Sequence, residues 1–445
     1  MRVARPINKK LFDVYVLFTR EPFVRYYTEE LEYYTNGNGG LIGFISLDLI
    51  DDDFYACILS RDEAKQYRAV SVEASISTIQ EAREWIDNEM SSDTIIFHDN
   101  KYEFFDIFKE LDNKEQLHPN FKLLRDKDFF YSAKEVIKEI TYHYKDIDGN
   151  FIDQFQSING FDSRIWELYL FCFFREQYFS FKRNFEAPDY MVEKLENTIA
   201  VEAVIVSRKT ELNKHIPKTE KEIEDALSNQ MPLMFGSALF DKMKKKYWTK
   251  PHVEGLPFII AIADFHDTMS MTWSFTALSD YLYGYKYDYS YDKDGKLLVT
   301  PRKIGNYKKE NGTEIPAGLF LQEGSENVSA VIFSSCATLS KFNRMGKQAG
   351  LGVEYNRLIR TGSYYNHEPN AVSANIKTYE VSEESNETWT EGVIIFHNPN
   401  AIVPLDPDLF DERVAQCFFD MDENILRSIM PEIFPYNSMT QNLII

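Results

Sequence analysis

The pattern of apolar and polar positions changes along the chain, and its first third alternates strand-like runs with amphipathic stretches. FDVYVLF, which begins at Phe12, predicts a strand, and GLIGFISLDL and DFYACILS predict a strand pair across the acidic turn at 51–53. TIQEAREWIDNEM and SAKEVIKEITYHY predict helices, the first capped by Ser77 or Thr78, and TIIFHD predicts another strand. These elements indicate an N-terminal α/β or α+β domain over residues 1–150.

The middle of the chain has one long apolar helix followed by short strands. FDSRIWELYLFCFFREQYF predicts a helix capped by Asp162 or Ser163, and from Ile165 to Phe174 only Glu167 interrupts its apolar surface. FSFKRNF, APDYMVEK and TIAVEAVIVS then predict three strands, TEKEIEDALSNQ and MPLMFGSALFDKMKKKYW predict helical structure, and LPFIIAIADFH predicts a strand buried on both faces. The order over residues 151–270 is helix, three strands, helix, strand.

Residues 271–445 predict an α+β extension. WSFTALSDYLYGYKY indicates a helix, residues 293–316 an exposed hairpin, and VSAVIFSS and EGVIIFHNPNAIVPL strands. Residues 406–435 predict a helical tail, and the pattern leaves open whether the late strands extend the central sheet. The predicted fold class is α/β, with a mixed central sheet between the two flanking regions.

Composition places the chain among ordered globular proteins. Apolar residues make up 44% of its 445 residues and aromatic residues 15%, without a long low-complexity tract. The densest apolar run, LYLFCFF, is far shorter than the roughly 18 residues that a membrane helix needs, so we expect no membrane association. The four cysteines lack the spacing of a zinc site or a disulfide framework, and a reducing cytoplasm is the expected location.

The net charge argues against a nucleic-acid partner until its distribution is considered. The chain carries a charge of −21, and an acidic surface repels a polyanion. Residues 161–266, however, hold 15 basic and 16 acidic residues, so the excess acid lies mostly outside the middle segment. Within it, RKTELNKHIPK (208–218) and KMKKKYWTK (242–250) suit a phosphate backbone or, equally, a solvated face.

Three acidic residues of the middle segment stand in otherwise apolar elements. Glu167 lies in the apolar helix, Asp189 follows Pro188 at the start of a strand, and Glu202 lies inside VEAVIV. Such a carboxylate must be paired, protonated or metal-bound, because burying an isolated charge is costly. The two strand acids can meet across a turn, and three converging carboxylates form a site for Mg²⁺ or Mn²⁺.

Pro188-Asp189, Glu202 in the following strand and Glu167 in the preceding helix resemble the PD-(D/E)xK nuclease superfamily, over about a quarter of the chain. The order of helices and strands is similar too. The resemblance implies a restriction-endonuclease-like core and a Mg²⁺- or Mn²⁺-dependent nuclease acting on DNA or RNA, in prokaryotic restriction or anti-phage defence. WELYLF, PDY, VEAV, ADFH and FNRMG also resemble a group of bacterial proteins of unassigned function.

One departure from the superfamily pattern leaves two interpretations open. The pattern places a lysine two residues after the strand acid, where this chain has Val204. Lys182, Lys209 and Lys242 are candidates for a relocated cation, and spacing singles out none of them. The predicted catalytic residues are Glu167, Asp189, Glu202 and Lys209. The alternative is a nuclease fold without catalysis, which binds nucleic acid or assembles with a protein partner or with copies of itself.

Each acid also has a purely structural interpretation. Glu167 can pair with Arg164, one helical turn back, or with Arg175. Asp189 can simply shape a turn, and Glu202 can face water on an edge strand. The three residues are jointly functional only if their side chains converge.

Three further patterns offer weaker candidates. His266 beside Asp264 suits a metal or a base, although a hydrogen-bonded pair at a strand end is the simpler account. Cys336 with Ser335 offers a hydrolase nucleophile, but no catalytic histidine frames the pair. KFNRMGKQ is either a solvated helix face or an anion site, and its basic residues are Lys341, Arg344 and Lys347.

Overall fold

The computed structural model describes residues 3–36, 40–91, 106–109, 117–147, 149–182, 184–207, 217, 219–267, 269–309 and 312–444. The described α-helices are α1 (Lys9–Val16), α2 (Ile79–Met90), α3 (Pro119–Asp126), α4 (Tyr131–His143), α5 (Phe151–Gln156), α6 (Phe161–Glu176), α7 (Glu220–Asp225), α8 (Met231–Met243), α9 (Phe275–Tyr283) and α10 (Leu339–Gln348). The first strands are β1 (Arg5–Pro6), β2 (Thr28–Thr35), β3 (Leu41–Asp48), β4 (Phe54–Arg61), β5 (Tyr67–Ile76), β6 (Ser180–Phe181), β7 (Tyr190–Lys194), β8 (Asn197–Val206) and β9 (Phe258–Asp264). The later strands are β10 (Tyr285–Tyr291), β11 (Leu297–Lys303), β12 (Asn306–Lys308), β13 (Glu314–Pro316), β14 (Ala330–Ser334), β15 (Asn356–Tyr364), β16 (Asn375–Val381), β17 (Val393–His397), β18 (Ala415–Asp420), β19 (Ile425–Ile429) and β20 (Pro435–Ile444).

The N-terminal region is an antiparallel sheet of β1 to β5 in sequence order, covered by α2. The predicted pair β3 and β4 is confirmed, and Thr78 begins α2 with a capping box. The predicted strand FDVYVLF is wrong, because Phe12 and Val16 lie one helical turn apart and bury one face of α1. The predicted strand TIIFHD lies outside the described residues.

The centre of the molecule is a mixed eight-stranded sheet, as the predicted α/β class requires. Its strand order is β19-β18-β17-β14-β9-β8-β7-β6. The inner strands β8, β9 and β14 are parallel, whereas β6 and β7 extend the sheet in antiparallel pairing. β9 is buried at every position, as the continuous apolar run LPFIIAIADFH predicts.

Hydrophobic cores cover both faces of the central sheet. α6 packs on one face and shares its core with α3, α4 and α5, while α8 and α9 pack on the other face. From α6 to β9 the chain runs helix, three strands, helices, strand, in the predicted order. The predicted cap of α6 is wrong: Gly160 is the N-cap residue, and neither Asp162 nor Ser163 takes that position.

The C-terminal region divides between the central sheet and separate small sheets. β14, β17, β18 and β19 extend the central sheet, while β15, β16 and β20 form a three-stranded sheet and β10 with β11 forms a hairpin. The predicted helical tail is wrong. AQCFFD instead forms β18, because its largely buried side chains pair in parallel with β17, and β19 then turns back on it.

A cluster of buried charges, the α10 cluster, ties α10 to the C-terminal region. Glu387 accepts ion pairs from Lys341 (2.7 Å) and Arg344 (2.7 Å), and it also lies 3.3 Å from Arg360. Arg360 in turn pairs with Glu391 at 2.7 Å. Lys341 and Arg344 of KFNRMGKQ are therefore neither solvated nor open to an anion, contrary to both predictions for that segment.

Candidate functional site

Asp189 and Glu202 are neighbours because β7 and β8 pair in antiparallel register. The register sets Tyr190 opposite Val201, so Asp189, one residue before β7, comes opposite Glu202. The Asp189 N–H donates to Glu202 Oε2 at 3.3 Å, and Asp189 Oδ2 accepts from the Ala203 N–H at 2.7 Å. The two strand acids thus meet across the turn, as their spacing predicts.

Glu202 points to the α8 face of the sheet and binds groups near the end of α8. Its Oε1 accepts from Lys242 Nζ at 2.5 Å and from the Tyr247 hydroxyl at 2.6 Å. Only 4% of the Glu202 side chain is exposed, whereas 21% of the Lys242 side chain is exposed, so Lys242 connects the carboxylate to the surface. Glu202 is not an edge residue that faces water.

Glu167 lies on α6, which packs on the other face of the sheet. Its side chain therefore binds different residues from those that bind Glu202. Its Oε2 accepts from Arg164 Nη1 at 2.6 Å and from the Tyr144 hydroxyl at 3.2 Å. The pairing with Arg164 is the structural interpretation given above, while Arg175 instead donates to backbone carbonyls near α1.

Asp189 lies between Glu167 and Glu202, and the negative charges of both act on its carboxyl group. Together with Glu167, Arg164 and Tyr144 it lines a recess of about 30 Å³, room for about two water molecules. Burial, and then the charges of Glu202 and Glu167, raise the pKa of Asp189 well above its usual value, although Lys242 and the Ala203 N–H oppose this. We call these residues the acidic site: Arg164, Glu167, Asp189, Glu202 and Lys242. Its three carboxyl groups face two cations, so negative charge is in excess.

Of the three candidate cations, Lys242 is the one that the structure brings to the acids. Lys182 is exposed and pairs with Glu193 at the surface, and Lys209 lies outside the described residues. The sequence offered Lys242 as one of three candidate cations, and nothing in it indicated that Lys242 and Tyr247 reach the same carboxylate, 40 and 45 positions away. That contact depends on how α8 packs against β8.

The acidic site has the donor chemistry for a hard divalent cation but not a ready coordination group. Within the described ranges, no three His, Cys, Asp or Glu side chains are grouped to hold a metal ion. Glu202 Oε1 and Asp189 Oδ2 already accept strong hydrogen bonds. Among the described residues, Asp189 Oδ1 and Glu202 Oε2 are less engaged, and Glu202 Oε2 accepts the weak 3.3 Å contact from the Asp189 N–H. Mg²⁺ or Mn²⁺ binding stays a prediction.

The weaker candidates have structural roles in this arrangement. His266 Nδ1 lies 2.7 Å from Asp264 Oδ1 at the end of β9, which is the simpler account given above. The Ser335 hydroxyl donates to the Tyr436 carbonyl at 2.6 Å, and Cys336 is buried beside it. The described contacts of this pair include no histidine, so they do not form a nucleophile and base.

Comparisons with protein-family models, curated proteins and solved structures find no significant match for this chain. In the part of the chain that the structure describes, no helix is both long and apolar enough to cross a membrane. The superfamily, the nucleic-acid partner and the cytoplasmic location therefore stay predictions.

Proposed function

We propose that this chain is a metal-dependent nuclease, with a restriction-endonuclease-like core from α6 to β9 and its site at Asp189, Glu202 and Lys242. The observation that carries the proposal is the pairing of the half-buried Asp189 with the buried Glu202 where β7 and β8 meet, with a lysine held 2.5 Å from Glu202. A sheet that withdraws two adjacent carboxylates from water loses stability unless a cation or proton compensates them. Carboxylates with strongly perturbed pKa values are concentrated at functional sites.

Lys242 takes the place of the lysine that the superfamily pattern puts at Val204. It reaches Glu202 from the following helix rather than from the same strand, and part of its side chain is exposed to solvent. An ammonium group in this position stabilises negative charge that develops on a phosphate during hydrolysis. Lys209 stays a second candidate for this role.

A divalent cation would bind the less engaged oxygens of Asp189 and Glu202. When bound, it would supply a polarised water and offset charge on the phosphodiester. Its binding would also offset the negative charges of Glu202 and Glu167, which add to burial in raising the pKa of Asp189. Glu167, held by Arg164 and Tyr144, would act from the adjoining recess by orienting water.

The surface next to the site suits a nucleic-acid backbone. Lys244, Lys245 and Lys246 are exposed immediately after Lys242, where α8 ends. Clustered lysines bind phosphates without regard to sequence, and they offset locally the acidic charge of the whole chain. The substrate class is therefore DNA or RNA.

The test is nicking of plasmid DNA and cleavage of RNA with Mg²⁺ or Mn²⁺, compared with chelator. Asp189→Asn and Glu202→Gln should each lower cleavage by about a hundredfold or more, since they remove the charges that hold the cation. Glu193→Gln, an acid on the surface of β7, is the matched control and should keep full activity. Circular dichroism checks the fold of each variant, and calorimetry with Mn²⁺ measures cation binding without a substrate. Cleavage that survives Glu202→Gln contradicts the proposal.

The second candidate function is nucleic-acid binding or protein assembly on the same fold without catalysis. It is favoured by two observations: Lys242 and Tyr247 already bind Glu202, and the described residues contain no three-ligand metal group. This candidate predicts no heat of Mn²⁺ binding and nucleic-acid binding that is unchanged in Asp189→Asn.

A further inference from the structure

The hairpin of β10 and β11 begins a basic, largely exposed stretch of the chain away from the acidic site. Residues 285–309 contain seven lysines and arginines against three aspartates, in a chain whose net charge is −21. The two strands pair only with each other, so the hairpin stands outside the central sheet. Five of the seven cations lie on the hairpin itself, between residues 285 and 303.

The same hairpin exposes aromatic and aliphatic side chains. Tyr289 is 59% exposed and Tyr291 is 48% exposed, and their rings lie edge to face with centroids 6.3 Å apart. Leu298 and Val299 on the facing strand are 45% and 42% exposed. Two tyrosines at alternate strand positions share one face, where bases can stack on them.

The base of the hairpin is fixed at one end of α8, and the acidic site lies at the other end. Lys286 Nζ donates to Ser228 Oγ at 2.8 Å, just before α8 begins. Lys242, at the far end, binds Glu202. The fourteen residue steps from Ser228 to Lys242 correspond to about 20 Å of helix, which is the length of about six base pairs.

We infer that the hairpin binds the phosphate backbone of a nucleic acid about six nucleotides from the acidic site, with Tyr289 stacking on an unpaired base. This inference rests on the proposed function for the identity of the substrate. Charge complementarity carries it: residues 285–309, which are the hairpin and the six residues after it, hold a net charge of +4 on an acidic protein, so a polyanion meets less repulsion there than over most of the chain. A two-stranded ribbon also has the width of the major groove.

The test measures binding of labelled duplex DNA, single-stranded DNA and RNA of about 20 nucleotides to the full chain. Chelator is present to prevent cleavage, and anisotropy is recorded over a range of salt. Lys296→Glu with Lys303→Glu should weaken binding about tenfold or more and reduce the salt slope by about two. Lys122→Glu with Lys127→Glu makes the same charge change on and just after α3 and should have little effect. An equal loss in both pairs overturns the inference, and so does the absence of loss in the hairpin pair.

A second variant pair separates stacking from charge. Tyr289→Ala should weaken single-strand binding about tenfold, whereas Tyr289→Phe keeps the ring and should bind like the wild type. The three probes show whether the duplex, the single strand or RNA is preferred, and binding to none of them overturns the inference.

Failure of the inference and failure of the proposed function give different results. Cleavage that depends on Glu202, together with binding that ignores the hairpin, overturns the inference alone. Binding that depends on the hairpin, by a chain that cleaves no nucleic acid, overturns the proposed function alone.

Discussion

The molecule buries two clusters of charged side chains that differ in the sign of the charge left over. The α10 cluster has three cations and two acids, and none of its side chains is more than 9% exposed. The acidic site has three acids and two cations, and Lys242 and Arg164 keep partial contact with solvent. One cluster is closed and cation-rich, while the other is accessible and acid-rich.

The difference separates an ion network that holds the fold together from one that is available to a ligand. In the α10 cluster, Arg344, Arg360 and Lys341 hold the pKa of Glu387 well below its usual value despite burial, so its charge is well compensated. In the acidic site, burial and neighbouring acids raise the pKa of Asp189. A cation added to the first cluster would meet repulsion, whereas a cation added to the second would be attracted.

The largest expected effect is on stability, from removing the central acid of the α10 cluster. Glu387→Gln leaves three buried cations with one remaining acid, and it should lower the free energy of unfolding by about 3 to 5 kcal/mol. Urea denaturation measures the loss. The control is Glu380→Gln, which breaks the exposed pair with Arg357 and should cost less than about 1 kcal/mol. Equal losses in the two variants would mean that the α10 cluster contributes no more than a surface pair.

A smaller loss is expected from removing the lysine of the acidic site. Lys242→Met leaves Glu202 with the Tyr247 hydroxyl and the nearby Asp189, and should cost about 1 to 3 kcal/mol because an acid loses its main compensation. Lys244→Met, two residues on and exposed, is the matched control and should be near neutral. Thermal or urea denaturation distinguishes them. A neutral Lys242→Met would show that solvent already screens Glu202.

The elements that the sequence predicted well are those whose pattern is local and long. α6, β7, β8 and β9 follow from continuous apolar runs and from turns between them. The contact between Asp189 and Glu202 was also predictable, because a short turn between antiparallel strands fixes the register. The prediction of a strand at α1 was wrong, because its eight residues fit both the helical and the strand period and tertiary packing decides between them.

The sequence could not show which residues pair with the buried charges, because the partners come from distant segments of the chain. Arg344 looked solvated on its own helix, yet its carboxylate partner Glu387 lies 43 positions later. Lys242 could not be preferred over Lys209, since only the packing of α8 on β8 brings it to Glu202. Local patterns report which side chains share a helix face or strand, but not which face of another element they meet.

The smallest expected effect, and the one that compares the two clusters most directly, is a gain in stability from Asp189→Asn. The amide keeps an oxygen to accept the Ala203 N–H but carries no charge beside Glu202 and Glu167. We expect a gain of about 1 kcal/mol at neutral pH, as when a destabilised functional site is relieved. Urea denaturation measures it, and the control is Asp153→Asn, the same change at an exposed position on α5.

The pH dependence of this gain follows from the sign of the pKa shift. Because the folded-state pKa of Asp189 lies above its ordinary value of 3.8, the wild-type residue costs nothing below about pH 4, where both states are protonated. As the pH rises from there, the unfolded chain releases its proton first, so the wild type loses stability until the pH passes the folded-state pKa. The advantage of Asp189→Asn should therefore grow between pH 4 and neutrality, and Mn²⁺ should reduce it by stabilising only the wild type.

Glu387 must behave in the opposite way, since its lowered pKa gives stability that is full above pH 4.5 and is lost only in stronger acid. If the stability gain of Asp189→Asn did not change with pH, the charge of Asp189 would be as well compensated as the charge of Glu387. The acidic site would then have no excess of negative charge to attract a cation.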